Sequence, residues 1–191
     1  MNKFTFIDLF AGCGGLSEGF LQTGMFEGLS HVEWESPMVN TLRYRVVKKW
    51  KHTEEDARKR VIKFDIQKTE ELLHGNWNEE TKKIYGQENH PDIITKGLDG
   101  LINGKTVDLI IGGPPCQAYS IAGRAQSPTG MKDDYRNFLF ESFVKIVEHF
   151  KPKVFVFENV PGLLSACPGE IPVRIRIYNA FKAIGYDIRT P

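Results

Sequence analysis

Short, almost unbroken apolar runs recur along this chain, separated by glycine, proline and polar residues, and several are followed by apolar positions at helical spacing. Phe4-Thr5-Phe6-Ile7-Asp8-Leu9-Phe10 reads as a buried strand, after which Gly12, Gly14 and Gly15 turn the chain into a helix from about Leu16 to Thr23. Leu29 to Trp34 predicts a second strand. Pro37 then sits where the first turn of a helix tolerates it, in a helix reaching about Trp50. Val61 to Phe64 predicts a short third strand ending at Asp65. Val107 to Ile111 predicts a fourth, stopped by Gly112-Gly113-Pro114-Pro115. Asn137 to Phe150 spaces Phe140, Phe143, Val144 and Val147 as one helical face, and Lys151-Pro152 closes it before a fifth strand, Val154 to Phe157. Residues 69–105 are polar, broken by glycine and without a clear period; they read as an irregular excursion outside the core. Gly185-Tyr186-Asp187-Ile188 reads as the start of a sixth strand.

Strands alternating with helices predict an α/β fold with a doubly wound, mainly parallel sheet covered on both faces. Ligands of such sheets bind beyond the carboxyl ends of the strands. The residues with unusual chemistry all fall there: Asp8 to Gly15, Glu33-Trp34, Asp65, Pro114-Pro115-Cys116 and Glu158-Asn159. They are expected on one edge of the sheet.

Composition narrows the class. A chain of 191 residues suits a single domain, and with 25 Lys+Arg against 24 Asp+Glu its net charge is +1. Disordered, collagen-like and disulfide-scaffold classes are excluded, and a dedicated polybasic nucleic-acid binder is disfavoured. The 3 cysteines, Cys13, Cys116 and Cys167, form no C-x-x-C, which argues for a reducing compartment and a cytoplasmic location. Lys3 alone precedes an apolar stretch that Asp8 interrupts, a poor signal peptide. No apolar run approaches the roughly 18 residues of a spanning helix. The 5 histidines (His31, His52, His74, His90, His149) lack metal-ligand spacing, so no metal is expected.

Phe10-Ala11-Gly12-Cys13-Gly14-Gly15 follows a strand and opens a helix, where backbone N–H groups can approach a ligand. Ser17 stands where the third glycine of G-x-G-x-x-G belongs, which disfavours a nicotinamide dinucleotide. Glu33 follows Gly12 by roughly 20 residues, the position from which a carboxylate accepts ribose hydroxyls. Trp34 offers a flat face for an adenine, and Asp65 could accept from its amino group. Asp8 either contacts the ligand or braces the glycine turn. Gly112-Gly113-Pro114-Pro115-Cys116-Gln117 holds a rigid, extended turn that presents a cysteine as a nucleophile is presented, and Glu158-Asn159-Val160-Pro161 brings a carboxylate to the same edge. Cys13 reads as a packing residue, and no chemistry is assigned to Cys167.

Phe-Ala-Gly-Cys-Gly-Gly, Glu-Trp, Gly-Gly-Pro-Pro-Cys-Gln and Glu-Asn-Val-Pro-Gly, in that order from about Lys3 to Gly162, resemble the motifs of the DNA (cytosine-5) methyltransferases. The resemblance implies a Rossmann-like S-adenosylmethionine-dependent fold, with S-adenosylmethionine as cofactor, S-adenosylhomocysteine as product and no metal. It implies cofactor contacts from Phe10, Ala11, Gly12, Gly14, Gly15, Leu16, Glu33, Trp34, Asp65, Ile66, Pro114 and Leu139. Cys116 would be the nucleophile and Glu158 its acid partner. Residues 117–135 would form a lid closing over double-stranded DNA, with Gln117, Ser120, Arg124 and Arg136 near it. The family's later Gln-x-Arg-x-Arg strand and target-recognition domain have no match. Arg174-Ile175-Arg176 has Pro172 in the Gln position and lies too near Glu158. The chain is therefore expected to be an N-terminal part of a catalytic domain, truncated before its last strands and needing a C-terminal half or complementary subunit, and inactive alone. A restriction-modification role is expected. A tRNA-modifying relative and a non-catalytic cofactor-binding or assembly subunit are the competing readings.

Overall fold

The first apolar run becomes the strand around which the rest of the sheet is laid. In the computed structural model, which describes residues 3–115, 139–167 and 170–190, β1 (Phe4–Leu9) pairs on one side with β2 (Phe26–Glu33) and on the other with β4 (Leu109–Gly112). β3 (Val61–Lys63) joins β2 and β5 (Val154–Phe157) joins β4, giving the order β3-β2-β1-β4-β5 with every pair parallel. The order reverses at β1, which makes the gap between the ends of β1 and β4 the topological switch point. Register does the positioning. Leu9 lies opposite Val32 and Gly112, and Gly112 lies opposite Phe157, so the residues that leave these four strands emerge side by side.

Nine helices cover the sheet among the described residues: α1 (Gly15–Gln22), α2 (Ser36–Lys48), α3 (Glu54–Arg60), α4 (Thr69–His74), α5 (Glu79–Tyr85), α6 (Pro91–Ile102), α7 (Leu139–Phe150), α8 (Gly162–Ser165) and α9 (Val173–Ala183). The strand period of two sorts side chains between faces. Ile7, Leu9 and Ile110 point into the large core built with α4 to α7 and α9. Phe6, Leu109 and Ile111 point the other way, against Leu16, Phe20 and Leu21 of α1. Val39, Leu42 and Val46 of α2 pack with Ala57 and Val61 in a third cluster. No described helix is long and apolar enough to cross a membrane.

Two expectations are corrected. Residues 69–105 are not an irregular excursion: they form α4, α5 and α6 with a 3-10 turn at Gly86–Glu88. Leu72, Leu73, Trp77, Tyr85, Ile93, Leu98 and Ile102 join the main core. The apolar period is hidden because α4 and α5 are short and α6 is kinked at Gly97, whose φ of +62° breaks the 3.6-residue repeat. Gly185 to Ile188 carries no sheet pairing among the described residues. Instead Tyr186 and Ile188 pack on the core, and the Tyr186 hydroxyl donates to the Pro152 carbonyl at 2.5 Å. Helix α3 was not anticipated. Its signal was the Thr53 cap, whose hydroxyl accepts from Asp56 N at 3.0 Å, with acidic residues in the first turn and basic ones in the last. Arg174 to Arg176 is helical, within α9, in keeping with its rejection as a strand motif.

Candidate functional site

At the end of β1 the backbone turns through three left-handed residues, Phe10 (φ +60°), Gly12 (+54°) and Gly14 (+79°). Gly14 cannot be replaced freely. A Cβ there would lie 2.5 Å from Leu42 Cδ1 and 3.2 Å from the Trp50 ring, quite apart from its φ. The turn is stitched by Gly14 N donating to Ala11 O (2.8 Å) and Ala11 N to Val32 O (3.0 Å). Helix α2 and the turn after it hold it from outside: Arg45 donates to the Cys13 carbonyl, and Arg45 and Trp50 Nε1 donate to Glu18 of α1. Cys13 Sγ lies 3.2 Å from Met38 Sδ.

Beneath the turn lies a buried polar chain. Asp8 is 1% exposed, and its Oδ2 accepts from Ser17 Oγ of α1 at 2.5 Å; Ser17 Oγ also lies 3.0 Å from His31 Nδ1 on β2. Asp8 thus ties β1 to α1 beneath the glycine turn. Burial pushes its carboxyl up to about 7, against the Ser17 hydrogen bond. Burial likewise pushes the His31 imidazole down to about 3, with the Arg60 charge adding to the effect. In both groups burial works against the charged form.

Glu33, at the end of β2, is held in place by the backbone. Oε2 accepts from Gly12 N (2.8 Å), and Oε1 accepts from Trp34 N (2.7 Å) and Glu35 N (2.8 Å). A carboxylate has about four acceptor positions. Three are filled from within, leaving one on Oε2 beside Gly12. Next to it the Trp34 ring is 51% exposed, a large apolar face open to solvent. Asp65 Oδ1 accepts from Gln67 N at 3.0 Å. The sequence reading missed Tyr85 here. Its hydroxyl is pushed up by burial and by the Asp65 charge, interacts with Trp34, and belongs to a ring packed 5.1 Å from Phe64. It sits in the stretch read as irregular, so only the N-cap Asn78, whose side chain accepts from Thr81 N, signalled its helix. Ala11, Ile66, Pro114 and Leu139 are buried, Leu16 packs beneath the sheet, and Gly15 faces open space. The Ile66 side chain is in the core.

Across β1, Glu158 N donates to Gly112 O at 2.9 Å, fixing the backbone after β5 beside that after β4. A Cβ on Gly113 would lie 2.5 Å from Glu158 Oε2. Glycine at this position is what lets the carboxyl rest over the Gly-Gly-Pro-Pro turn. Asn159 clamps the same junction: Nδ2 donates to the Pro114 carbonyl (3.1 Å) and Oδ1 accepts from Val160 N (2.9 Å). Cys116, Gln117, Ser120, Arg124 and Arg136 lie outside the described residues. A separate cavity of about 490 Å³, lined by Glu54, Arg58, Asn89, His90 and Ile94 among others, includes no residue of this strand-end set.

The edge thus offers two surfaces. Beside β1 and β2 are glycine-turn amides, one free carboxylate position and an exposed indole, suited to an aromatic ligand bearing hydroxyls. Beside β4 and β5 a carboxyl stands over a rigid turn that leads into a cysteine. Comparison with known proteins gives this edge its family. The profile described as C-5 cytosine-specific DNA methylase matches residues 4–76 and 64–190. The chain is 34% identical to Type II methyltransferase M.Bpa9945I of Bacillus paralicheniformis over 95% of its length and 46% of that protein's. It is 33% identical to Type II methyltransferase M1.HphI of Haemophilus parahaemolyticus, over 98% of the chain and 40% of the relative. With DNA (cytosine-5)-methyltransferase PliMCI of Paracentrotus lividus it shares 32% over 86% of the chain and 8% of the relative. The chain spans about half the length, or less, of these curated relatives.

Proposed function

This chain belongs to the C-5 cytosine-specific DNA methylases, and from that premise we propose that the protein methylates carbon 5 of cytosine in DNA, as the modification enzyme of a restriction-modification system. The observation that carries the reading is the Glu158 carboxyl lying over Gly113, three residues before Cys116 in the sequence. A nucleophile and an acid belong on opposite flanks of one pyrimidine, and the neighbouring ends of β4 and β5, from which the two sequence motifs continue, support that reading.

The β1–β2 surface fits S-adenosylmethionine, the cofactor this family generally uses. Gly12 leaves room for close approach, Glu33 keeps one acceptor position for a ribose hydroxyl, and the exposed Trp34 face suits the adenine, with Asp65 and Tyr85 at its edge. Bound there, S-adenosylmethionine supplies the methyl group. The protein's own residues make cytosine able to receive it. The Cys116 thiolate adds to carbon 6, the S–C6 bond forming as the electron pair of the 5,6 double bond shifts toward carbon 5. Glu158, hydrogen-bonded at ring N3, stabilises the charge of that addition. Once carbon 5 is methylated, a base takes its proton, the C–H electron pair restores the 5,6 double bond, and the S–C6 pair leaves with sulfur as the thiolate. The reacting face is hidden in a duplex, so the base must be rotated out to meet both groups. Gln117, Ser120, Arg124 and Arg136 are proposed DNA contacts on the strength of their sequence positions beside the nucleophile.

A duplex containing 5-fluorocytosine tests the reading, because fluorine cannot leave as a proton does and the S–C6 bond persists. Incubated with S-adenosylmethionine, the active enzyme is expected to form a denaturation-stable DNA adduct that Cys116→Ser abolishes. Adduct formation by the serine variant, or methyl transfer to tRNA in preference to DNA, would overturn it.

A further inference from the structure

Away from the strand-end edge, three helices bring three metal-ligand side chains together. His74 is the last residue of α4, Asp99 lies in α6 and His149 in the last turn of α7. His74 Nδ1 lies 2.8 Å from Asp99 Oδ2 and His149 Nε2 lies 2.7 Å from Asp99 Oδ1. One donor atom from each of the three lies within 4.8 Å of the other two. The imidazole rings meet edge to face, with centroids 5.3 Å apart. Positions 74, 99 and 149 have no ligand spacing along the chain; only the fold assembles them.

The assembly rests on a close backbone crossing. The end of α4 runs against the kink of α6, where a Cβ on Gly97 would lie 2.2 Å from the Leu73 carbonyl and one on Gly75 would lie 2.5 Å from Gly97 N. Glycine at both positions lets the two segments touch, which sets His74 and Asp99 face to face. Helix α7 then delivers His149 from the other side, and α4 packs against both partners.

We propose that His74 Nδ1, an Asp99 carboxylate oxygen and His149 Nε2 form a binding site for a divalent transition-metal ion of the zinc type. Two imidazoles and a carboxylate are the donors such ions take, and three protein ligands leave a position for water. The two His–Asp separations need to lengthen from hydrogen-bonding distances, and the three donor atoms, all within 4.8 Å of one another, to settle near the roughly 3.3 Å that metal–ligand bonds near 2 Å imply for a tetrahedron. The histidine nitrogens that now face Asp99 become the unprotonated ones, each ring moving its proton to its other nitrogen. In His74 that nitrogen is Nε2, which lies 3.7 Å from Glu70 Oε2. A carboxylate facing the non-ligating nitrogen is the outer-sphere arrangement that orients a metal-bound imidazole. The carbonyl end of α7 favours a cation beside His149. Half of the His74 side chain is solvent-exposed, so an ion reaches the site without unfolding. A bound ion ties α4 and α6 to α7, the helix that follows residues 116–138.

The test compares the full chain with its His149→Gln and Asp99→Asn variants, after treatment with EDTA. Titration with Co²⁺ is expected to give visible d–d bands without the near-ultraviolet band of thiolate ligation, which separates this site from the cysteines. Each variant is expected to bind one equivalent fewer, or at least tenfold more weakly. Zn²⁺ at 100 times its Kd is expected to raise the melting midpoint of the wild type by about 5–10 °C, and that of either variant by much less. Metal stoichiometry and Co²⁺ spectra identical in wild type and both variants would overturn the proposal. So would a midpoint that Zn²⁺ does not move, with the variants equally destabilised in EDTA; the trio is then a hydrogen-bonded staple.

Discussion

Two carboxylates leave the sheet at neighbouring strand ends and are treated in opposite ways. Glu33, after β2, accepts three backbone N–H groups and is immobilised by the turn it helps to hold. Glu158, after β5, is fixed by its backbone alone: its N–H is tied to Gly112, Gly113 makes room for it, and among the described residues its exposed carboxyl accepts no hydrogen bond. The surroundings differ in the same sense. The β1–β2 turn stands on the buried Asp8–Ser17–His31 chain, whereas β5 is only half buried along its length. Acceptor capacity used inside a protein holds geometry; capacity left free is available to a reacting partner. Under the proposed function, one side binds and the other reacts.

The contrast is sharpest in turnover. Glu158→Gln in the active enzyme is expected to cut kcat by roughly 100- to 10,000-fold while leaving cofactor affinity within about twofold, read by single-turnover methyl transfer and equilibrium binding. A parallel loss of cofactor binding would merge the two sides. Gly14→Ala strikes the binding side. The strain of a left-handed alanine and the overlap with Leu42 are expected to cost about 2–5 kcal/mol, measured by urea unfolding.

The buried chain predicts a pH signature. Asp8, raised to about 7 from 3.8, makes the folded state hold an extra proton between those values, so its stabilisation is complete below pH 4 and is lost as pH rises toward 7. His31, lowered to about 3 from 6.5, acts oppositely: the unfolded state holds the extra proton, and stability rises with pH over that range. The two slopes cancel between about pH 4 and 6.5. His31→Asn is expected to unmask the Asp8 slope, with unfolding free energy falling by roughly 1 kcal/mol per pH unit, and Asp8→Asn the opposite slope. A flat profile in both variants would detach the pair from the turn's stability. Trp34→Ala comes next: cofactor affinity drops about 5- to 150-fold through lost stacking, with stability changed by less than about 0.5 kcal/mol because the ring is exposed. Asn159→Ala is the mildest, expected to cost about 1 kcal/mol as the Pro114 clamp is lost, and to lower kcat with no change in cofactor KM.

Where the apolar runs were dense, the sequence read true. Val154–Phe157 matches its predicted bounds, and the strand ends after β1, β2, β4 and β5 share the edge that their chemistry suggested. Ser17 was legible only as a missing glycine; its role as the link between Asp8 and His31 depends on α1 packing over β1, which no local pattern states. Tyr85 was hidden because residues 69–105 bury their apolar side chains from short helices and a kinked one, leaving no period to detect. The His74–Asp99–His149 trio lay deeper still, since three helices far apart in sequence contribute one ligand each.

Placing β1 between two strands that both follow it in the chain has a consequence for synthesis. β1 leaves the ribosome before anything it pairs with, and β4 follows only after about 100 more residues, some 5 to 20 s later at ordinary elongation rates. Through that interval the segment Phe4–Leu9 has one flank unpartnered and its phenylalanines uncovered, a template for a second nascent chain. Growth temperature and translation speed should therefore govern the yield of soluble protein more strongly than any substitution on its finished surface.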